Sequence, residues 1–100
     1  MFKHIVLFTF KDENKKENLI KAKEMLEALM GRVPTLRSIE IGINLSTEER
    51  AMDMSLYSEF DNQEGLDLYA THPAHLEVVA FIKSVATGSK VSDYIVSNIE

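Results

Sequence analysis

The chain has 100 residues, of which 45% are hydrophobic and 27% charged, and it carries a net charge of −5 and no cysteine. That length supports the core of one small domain, read as residues 1–100, and the missing thiols exclude a disulfide framework, thiolate catalysis and cysteine zinc sites. The basic residues form no stripe, because Lys15, Lys16, Lys21 and Lys23 are interleaved with Glu17, Glu24 and Glu27, so no nucleic-acid partner is expected.

The N-terminal stretch "FKHIVLFTFK", residues 2–11, is β-branched and aromatic and reads as a strand. It is too short for a membrane span and lacks the longer apolar region and small-residue cleavage site of a signal peptide. No membrane partner is expected, and the cytoplasm is the expected location. Alternation puts His4, Val6, Phe8 and Phe10 on one face, and Lys3, Ile5, Leu7, Thr9 and Lys11 on the other.

Residues 13–31 read as a helix, with Leu19, Ala22, Leu26, Leu29 and Met30 at helical spacing and Gly31 as its stop. Residues 36–44, "LRSIEIGIN", alternate through Ile39, Ile41 and Ile43 and form the second strand. The polar loop "LSTEERA" follows. Residues 52–60, "MDMSLYSEF", alternate again and put Met52, Met54, Leu56 and Phe60 on one face.

Asp61 is the expected N-cap of the next helix, with Glu64 completing a capping box. That helix runs through Leu66, Leu68 and Tyr69 and is interrupted at "THP". Pro73 suits the first turn of a new helix, where its missing N–H costs nothing, with Thr71 or His72 as cap. The new helix continues through Leu76, Val79, Phe81, Ile82 and Val85 to a stop at Gly88. Residues 90–99, "KVSDYIVSNI", are the last strand.

The order is β-α-β-β-α-β with the second helix broken in two. This is an α+β, ferredoxin-like pattern: a four-stranded antiparallel sheet with helices on one face. Helices can cover only one side of such a sheet, yet the first strand is apolar on both. A second apolar sheet face marks an interface, and a second copy of the same sheet is its simplest cover. A homodimer through the sheet face is therefore expected.

"FKHIVLFTFK", "YATHPAH" at residues 69–75 and "SDY" at 92–94, on this layout, resemble the stress-responsive dimeric α/β-barrel (Dabb) family over essentially the whole chain. The resemblance implies ferredoxin-like subunits whose sheets pair to form a barrel. It fixes no reaction, since one plant branch consists of polyketide cyclases and related barrels include monooxygenases and haem-degrading enzymes. In the cyclase branch, the positions matching Tyr69 and His75 face a cavity, the histidine acting as base and the tyrosine lying near the substrate carbonyl. Asp93 matches a position able to hold the imidazole in one tautomer. His4 matches a cavity-lining histidine, and Met54 stands where the cyclases carry another, which implies a greasier cavity.

His72 and His75 lie three apart, the spacing of a helical metal pair, but Pro73 interrupts that regularity and the usual third or fourth ligand is missing from the neighbourhood. No metal and no cofactor are expected. Histidine titrates near neutral pH, so an acid/base role suits His75 better. In the plainer reading, His72 caps a helix, His75 bonds a backbone carbonyl, Tyr69 is core and His4 is an interface residue.

Two functions follow. The first is a stress-responsive dimeric barrel binding a small hydrophobic molecule, with His4, Val6, Phe8, Met54 and His72 as ligand-binding residues. The second is a polyketide-cyclase-like or isomerase-like enzyme with His75 as general base, Tyr69 as polariser and Asp93 as orienter. The enzyme reading expects a cavity that His75 and Tyr69 both face, with Asp93 within hydrogen-bond reach of the His75 ring; a His75 that faces solvent or bonds only backbone is expected to cost it its base. The first is favoured, because nothing in the sequence selects a substrate.

Overall fold

The computed structural model describes residues 1–97. The apolar first segment becomes β1 (Phe2–Phe10) and sits inside the sheet, as its two-sided hydrophobicity requires. It pairs antiparallel with β3 (Met54–Phe60) on one side and β4 (Ala86–Ile95) on the other, and β2 (Ser38–Ile43) joins the outer edge of β3. The strand order is β2-β3-β1-β4.

Register decides which residues share a face. Val6 stands opposite Leu56 and Val91, and His4 opposite Ser58 and Asp93. Onto this face pack α1 (Lys15–Glu27), α2 (Gln63–Thr71) and α3 (Pro73–Val85). Leu19, Ala22 and Leu26 of α1 and Ala74, Val78 and Ile82 of α3 join Phe2, Phe10, Met54, Leu56 and Phe60 in one buried core. Each of the larger apolar side chains among them contributes roughly 1.5–3 kcal/mol of burial.

Several boundaries move from their expected places. The cap of α2 is Asn62, whose side chain accepts the Gly65 N–H at 2.9 Å. Asp61 turns outward and takes both guanidinium bonds of Arg37, at 3.1 and 2.7 Å. Asn and Asp cap equally well, so the neighbouring arginine decides between them. The first helix ends at Glu27, and a chain of turns carries the backbone to Gly31 at φ 88°, leaving Met30 47% exposed.

The last helix stops at Val85, not Gly88. Gly88 lies in β4 opposite Thr9, beside a register shift between Thr9 and Phe10, a usual place for a strand glycine. The strand thus begins four residues before Lys90, the expected start, and residues 98–99 of that expected strand lie outside the described residues.

The helix-free face differs from expectation in composition. Met54, Leu56 and Phe60 are all committed to the helix side, so the apolar part of the open face comes from half-buried Ile5, Leu7 and Tyr57. Around them runs a polar network. Lys3 bonds the Glu59 carboxylate and the Tyr57 hydroxyl, Tyr57 donates to Glu59 at 2.9 Å, and Ser38 donates to Glu59 at 2.5 Å. These bonds, Lys3 foremost and then Ser38 and Tyr57, hold the Glu59 carboxyl down to about 2. Among the described residues no helix is long and apolar enough to cross a membrane.

Candidate functional site

A cavity of about 360 Å³ opens between β1 and α3. Strand alternation puts His4, Val6 and Phe8 on its sheet wall, and helical spacing puts Val78, Val79 and Ile82 on the opposite wall. Leu26 and Leu56 line it from α1 and β3. Tyr69 from α2 and His75 from the first turn of α3 reach the same space.

The break at "THP" is what brings these two together. His72 ends α2 and starts α3 in an extended conformation, and its Nδ1 accepts the Ala74 N–H at 3.0 Å. Pro73 takes the first helical position, as its missing N–H favours. The chain turns, and the Tyr69 and His75 rings meet at 4.2 Å between centroids, inclined by 42°. Phe60 holds the other side of the tyrosine at 5.1 Å.

Tyr69 is only 1% exposed, and its hydroxyl is buried with no hydrogen-bond partner among the described residues. Buried hydroxyls nearly always find a partner, so this donor is out of the ordinary. Burial also pushes the phenol well above its usual range, which keeps it protonated.

His75 Nδ1 lies 3.0 Å from the Ala70 carbonyl oxygen. A carbonyl only accepts, so Nδ1 carries the proton and the Nε2 lone pair of the neutral ring is left free. Burial lowers the pKa of this imidazole, outweighing the bond to Ala70, which acts the other way. At neutral pH the ring is therefore an uncharged acceptor. A bond to backbone does not disable it as a base, because that bond uses the other nitrogen.

His4 follows the same logic with a different partner. Its Nδ1 lies 2.5 Å from Asp93 Oδ1, so the carboxylate fixes the Nδ1–H form and leaves Nε2 available. Asp93 was expected to hold His75. It holds His4, because the β1–β4 register places residue 93 directly across from residue 4.

The structure thus gathers His4, Val6, Phe8, Tyr69 and His75 around one cavity. It leaves out three of the expected residues. Met54 is 0% exposed and belongs to the buried core, and the cavity takes Leu56 from the same strand instead. His72 spends its ring on the helix joint. Asp93 backs His4 from outside the lining. Among the described residues no three His, Asp or Glu side chains come together as a metal-binding group.

Sequence reasoning missed the rim, formed by Lys83 and by Thr87, Gly88 and Ser89 at the start of β4. Reading Gly88 as a helix stop hid those strand positions. Lys83 was legible in principle, since it lies one turn beyond Val79, another residue of the lining.

With this geometry in view, similarity to known proteins becomes informative. Residues 2–96 match the family model described as Stress responsive A/B Barrel Domain. An uncharacterized protein of Streptomyces coelicolor is 32% identical, covering 94% of this chain and 98% of its own length. A stress-response A/B barrel domain-containing protein of Arabidopsis thaliana is 26% identical, covering 99% and 89%. Among solved structures, a dimeric protein of unknown function and ferredoxin-like fold from Bacteroides fragilis superposes with a TM-score of 0.86 at 35% identity, covering 93% of each chain.

Proposed function

The chain belongs to the stress-responsive A/B barrel domain family, and on that premise we propose that it is a dimeric barrel protein whose cavity binds a small, largely apolar molecule carrying a hydrogen-bond acceptor. The Tyr69 hydroxyl carries this reading. It is a buried donor with no partner among the described residues, carried by a residue that lines a mostly apolar cavity. Leaving such a group unpaired costs about 1–3 kcal/mol, and a ligand oxygen placed there removes that cost. A few placed polar groups in an apolar enclosure of roughly 300–1,000 Å³ is the usual make-up of a small-molecule site.

The dimer is supported by the Bacteroides fragilis relative, described as dimeric, and by apolar residues left uncovered on the sheet. Ile5 and Leu7 occupy its open face, and Val91 and Ile95 of the edge strand are 63% and 73% exposed. Sedimentation at micromolar concentration checks it, and a monomer there sinks it.

A thermal-shift screen of small apolar ketones and phenols tests the cavity. Compounds that stabilise the wild type and fail to stabilise the cavity-filling variant Val79→Phe support the reading. A screen in which both proteins respond alike overturns it.

A second reading, an acid/base enzyme of the cyclase or isomerase type, is favoured by one observation. A neutral imidazole with a free Nε2, His75, stacks on a phenol held in its protonated form, Tyr69. In this reading Nε2 of His75 removes a proton from carbon next to a carbonyl whose oxygen accepts from Tyr69. The position assigned to Asp93 changes here: it orients His4 and leaves His75 to the Ala70 carbonyl.

A further inference from the structure

The cavity has two chemically different ends. Its buried part is lined by Tyr69, whose hydroxyl has no partner among the described residues, and by apolar side chains. Lys83 and Ser89 line the same cavity and are exposed, so they stand where it opens to solvent. Neither side chain has a hydrogen-bond or ion-pair partner among the described residues.

Two other lysines reach residues beside Lys83 in a chain whose net charge is −5. Lys3, Lys15 and Lys23 are tied to carboxylates elsewhere. Lys16 and Lys90 make no ion pair among the described residues, and around the C-terminal half of α3 three more lysines are without one. Lys11 donates to the Ser84 carbonyl at 3.0 Å, and Lys21 lies over the Phe81 ring at 4.5 Å. Like Lys83, neither makes an ion pair among the described residues. Three ammonium groups without carboxylates thus collect at one end of α3, and one of them is on the cavity rim.

We propose that the cavity takes an amphipathic monoanion, a small, mostly apolar body with a hydrogen-bond acceptor at its buried end and a carboxylate at the other. The body lies against Val6, Phe8 and Val79, and the carboxylate sits on the rim with Lys83 as counter-charge and Ser89 as hydroxyl donor. This rests on the reading of the cavity as a ligand site and adds the charge of the ligand. Lys83 also stands in the last turn of α3, where a cation complements the helix dipole, so the test must separate binding from helix stability.

The probes are 4-butanoylbenzoate and 4-butanoylbenzamide, whose ketone supplies the acceptor for Tyr69; nearly the same shape and differing in charge, they are titrated by calorimetry into wild type, Lys83→Met and Lys83→Arg. A partly exposed ion pair is worth up to about 1 kcal/mol, so wild type prefers the benzoate by about two- to fivefold. Lys83→Met loses that preference and keeps its affinity for the benzamide, while Lys83→Arg retains the preference. The preference also shrinks as salt rises from 20 to 500 mM, where the screening length falls to a few Å. Equal binding of both probes by wild type, or an undiminished preference in Lys83→Met, overturns the assignment of Lys83 and leaves the cavity reading intact. Failure of both probes to bind overturns the two together.

Discussion

His4 Nδ1 and Asp93 Oδ1 lie 2.5 Å apart across β1 and β4, so the acidic residue of the last strand serves the histidine of the first. The carboxylate is about a third exposed, which discounts the pair to about 1 kcal/mol or less. Asp93→Ala is expected to lower the urea-unfolding free energy by no more than that. In nitrogen-detected NMR of the imidazoles, the variant loses the Nδ1–H preference of His4 and keeps that of His75, which rests on the Ala70 carbonyl. Loss at His75 with retention at His4 would reverse the pairing.

Tyr69→Phe separates stability from function. The hydroxyl is buried without a partner among the described residues, so deleting it removes an unmet desolvation cost and leaves the ring contacts with Phe60 and His75 in place. The unliganded variant is expected to match the wild type or exceed it by about 1 kcal/mol. Its affinity for a carbonyl-bearing ligand falls about three- to tenfold, the worth of one neutral hydrogen bond. Differential scanning calorimetry and a binding titration read the two effects. A clearly destabilised variant means that the hydroxyl has a partner after all.

The sign of the His75 effect follows from burial. Its folded pKa lies below the ordinary 6.5, so protons bind the unfolded chain more readily. The stability this group contributes is fully present above pH 6.5 and is lost as pH falls from there through the folded value. His75→Phe removes the titrating group, so the variant loses less stability than wild type between pH 7 and pH 5. The imidazole proton resonances of His75 are expected to titrate with a midpoint under 6.5, and a midpoint above it contradicts the burial argument.

The fold was legible because its signals are local and repeated. Alternation in "FKHIVLFTFK" set the faces of β1 correctly, and Pro73 marked the joint between α2 and α3. What stayed hidden depends on pairing between distant segments. Asp93 could be matched to a histidine from sequence, but only the β1–β4 register says which one. Met54 and Leu56 share a face of β3, and only the three-dimensional packing shows that Leu56 reaches the cavity while Met54 is closed over in the core. Gly88 has the same residue type whether it stops a helix or sits beside a bulge.

The cap of α2 offers a test at single-residue resolution. Asn62 supplies the bond to Gly65 N, and Asp61 is occupied by Arg37. Asn62→Ala is expected to cost about 1 kcal/mol. Asp61→Ala loses an exposed, solvent-screened ion pair and is expected to cost clearly less than Asn62→Ala. Chemical denaturation of both variants decides it, and the reverse order of costs returns the cap to Asp61.

The Lys3–Glu59–Tyr57–Ser38 network sits on the sheet face where the partner subunit is proposed to pack, which makes acid sensitivity a probe of assembly. Glu59 is held down to about 2 from an ordinary 4.5, chiefly by Lys3. A carboxyl depressed in the folded state stabilises above its unfolded pKa, and that contribution fades as pH falls from about 4.5 toward 2. Wild type is therefore expected to exceed Glu59→Gln in stability at pH 7, with the difference closing across that acid range. If the open face is the dimer interface, protonating Glu59 loosens subunit contact as well, and the acid transition of wild type moves to lower pH as protein concentration rises. Circular dichroism at two concentrations a hundredfold apart measures both effects. A gap that closes with pH but ignores concentration keeps the network and removes it from the interface, leaving Val91 and Ile95 on the edge strand as the surface through which two copies would meet.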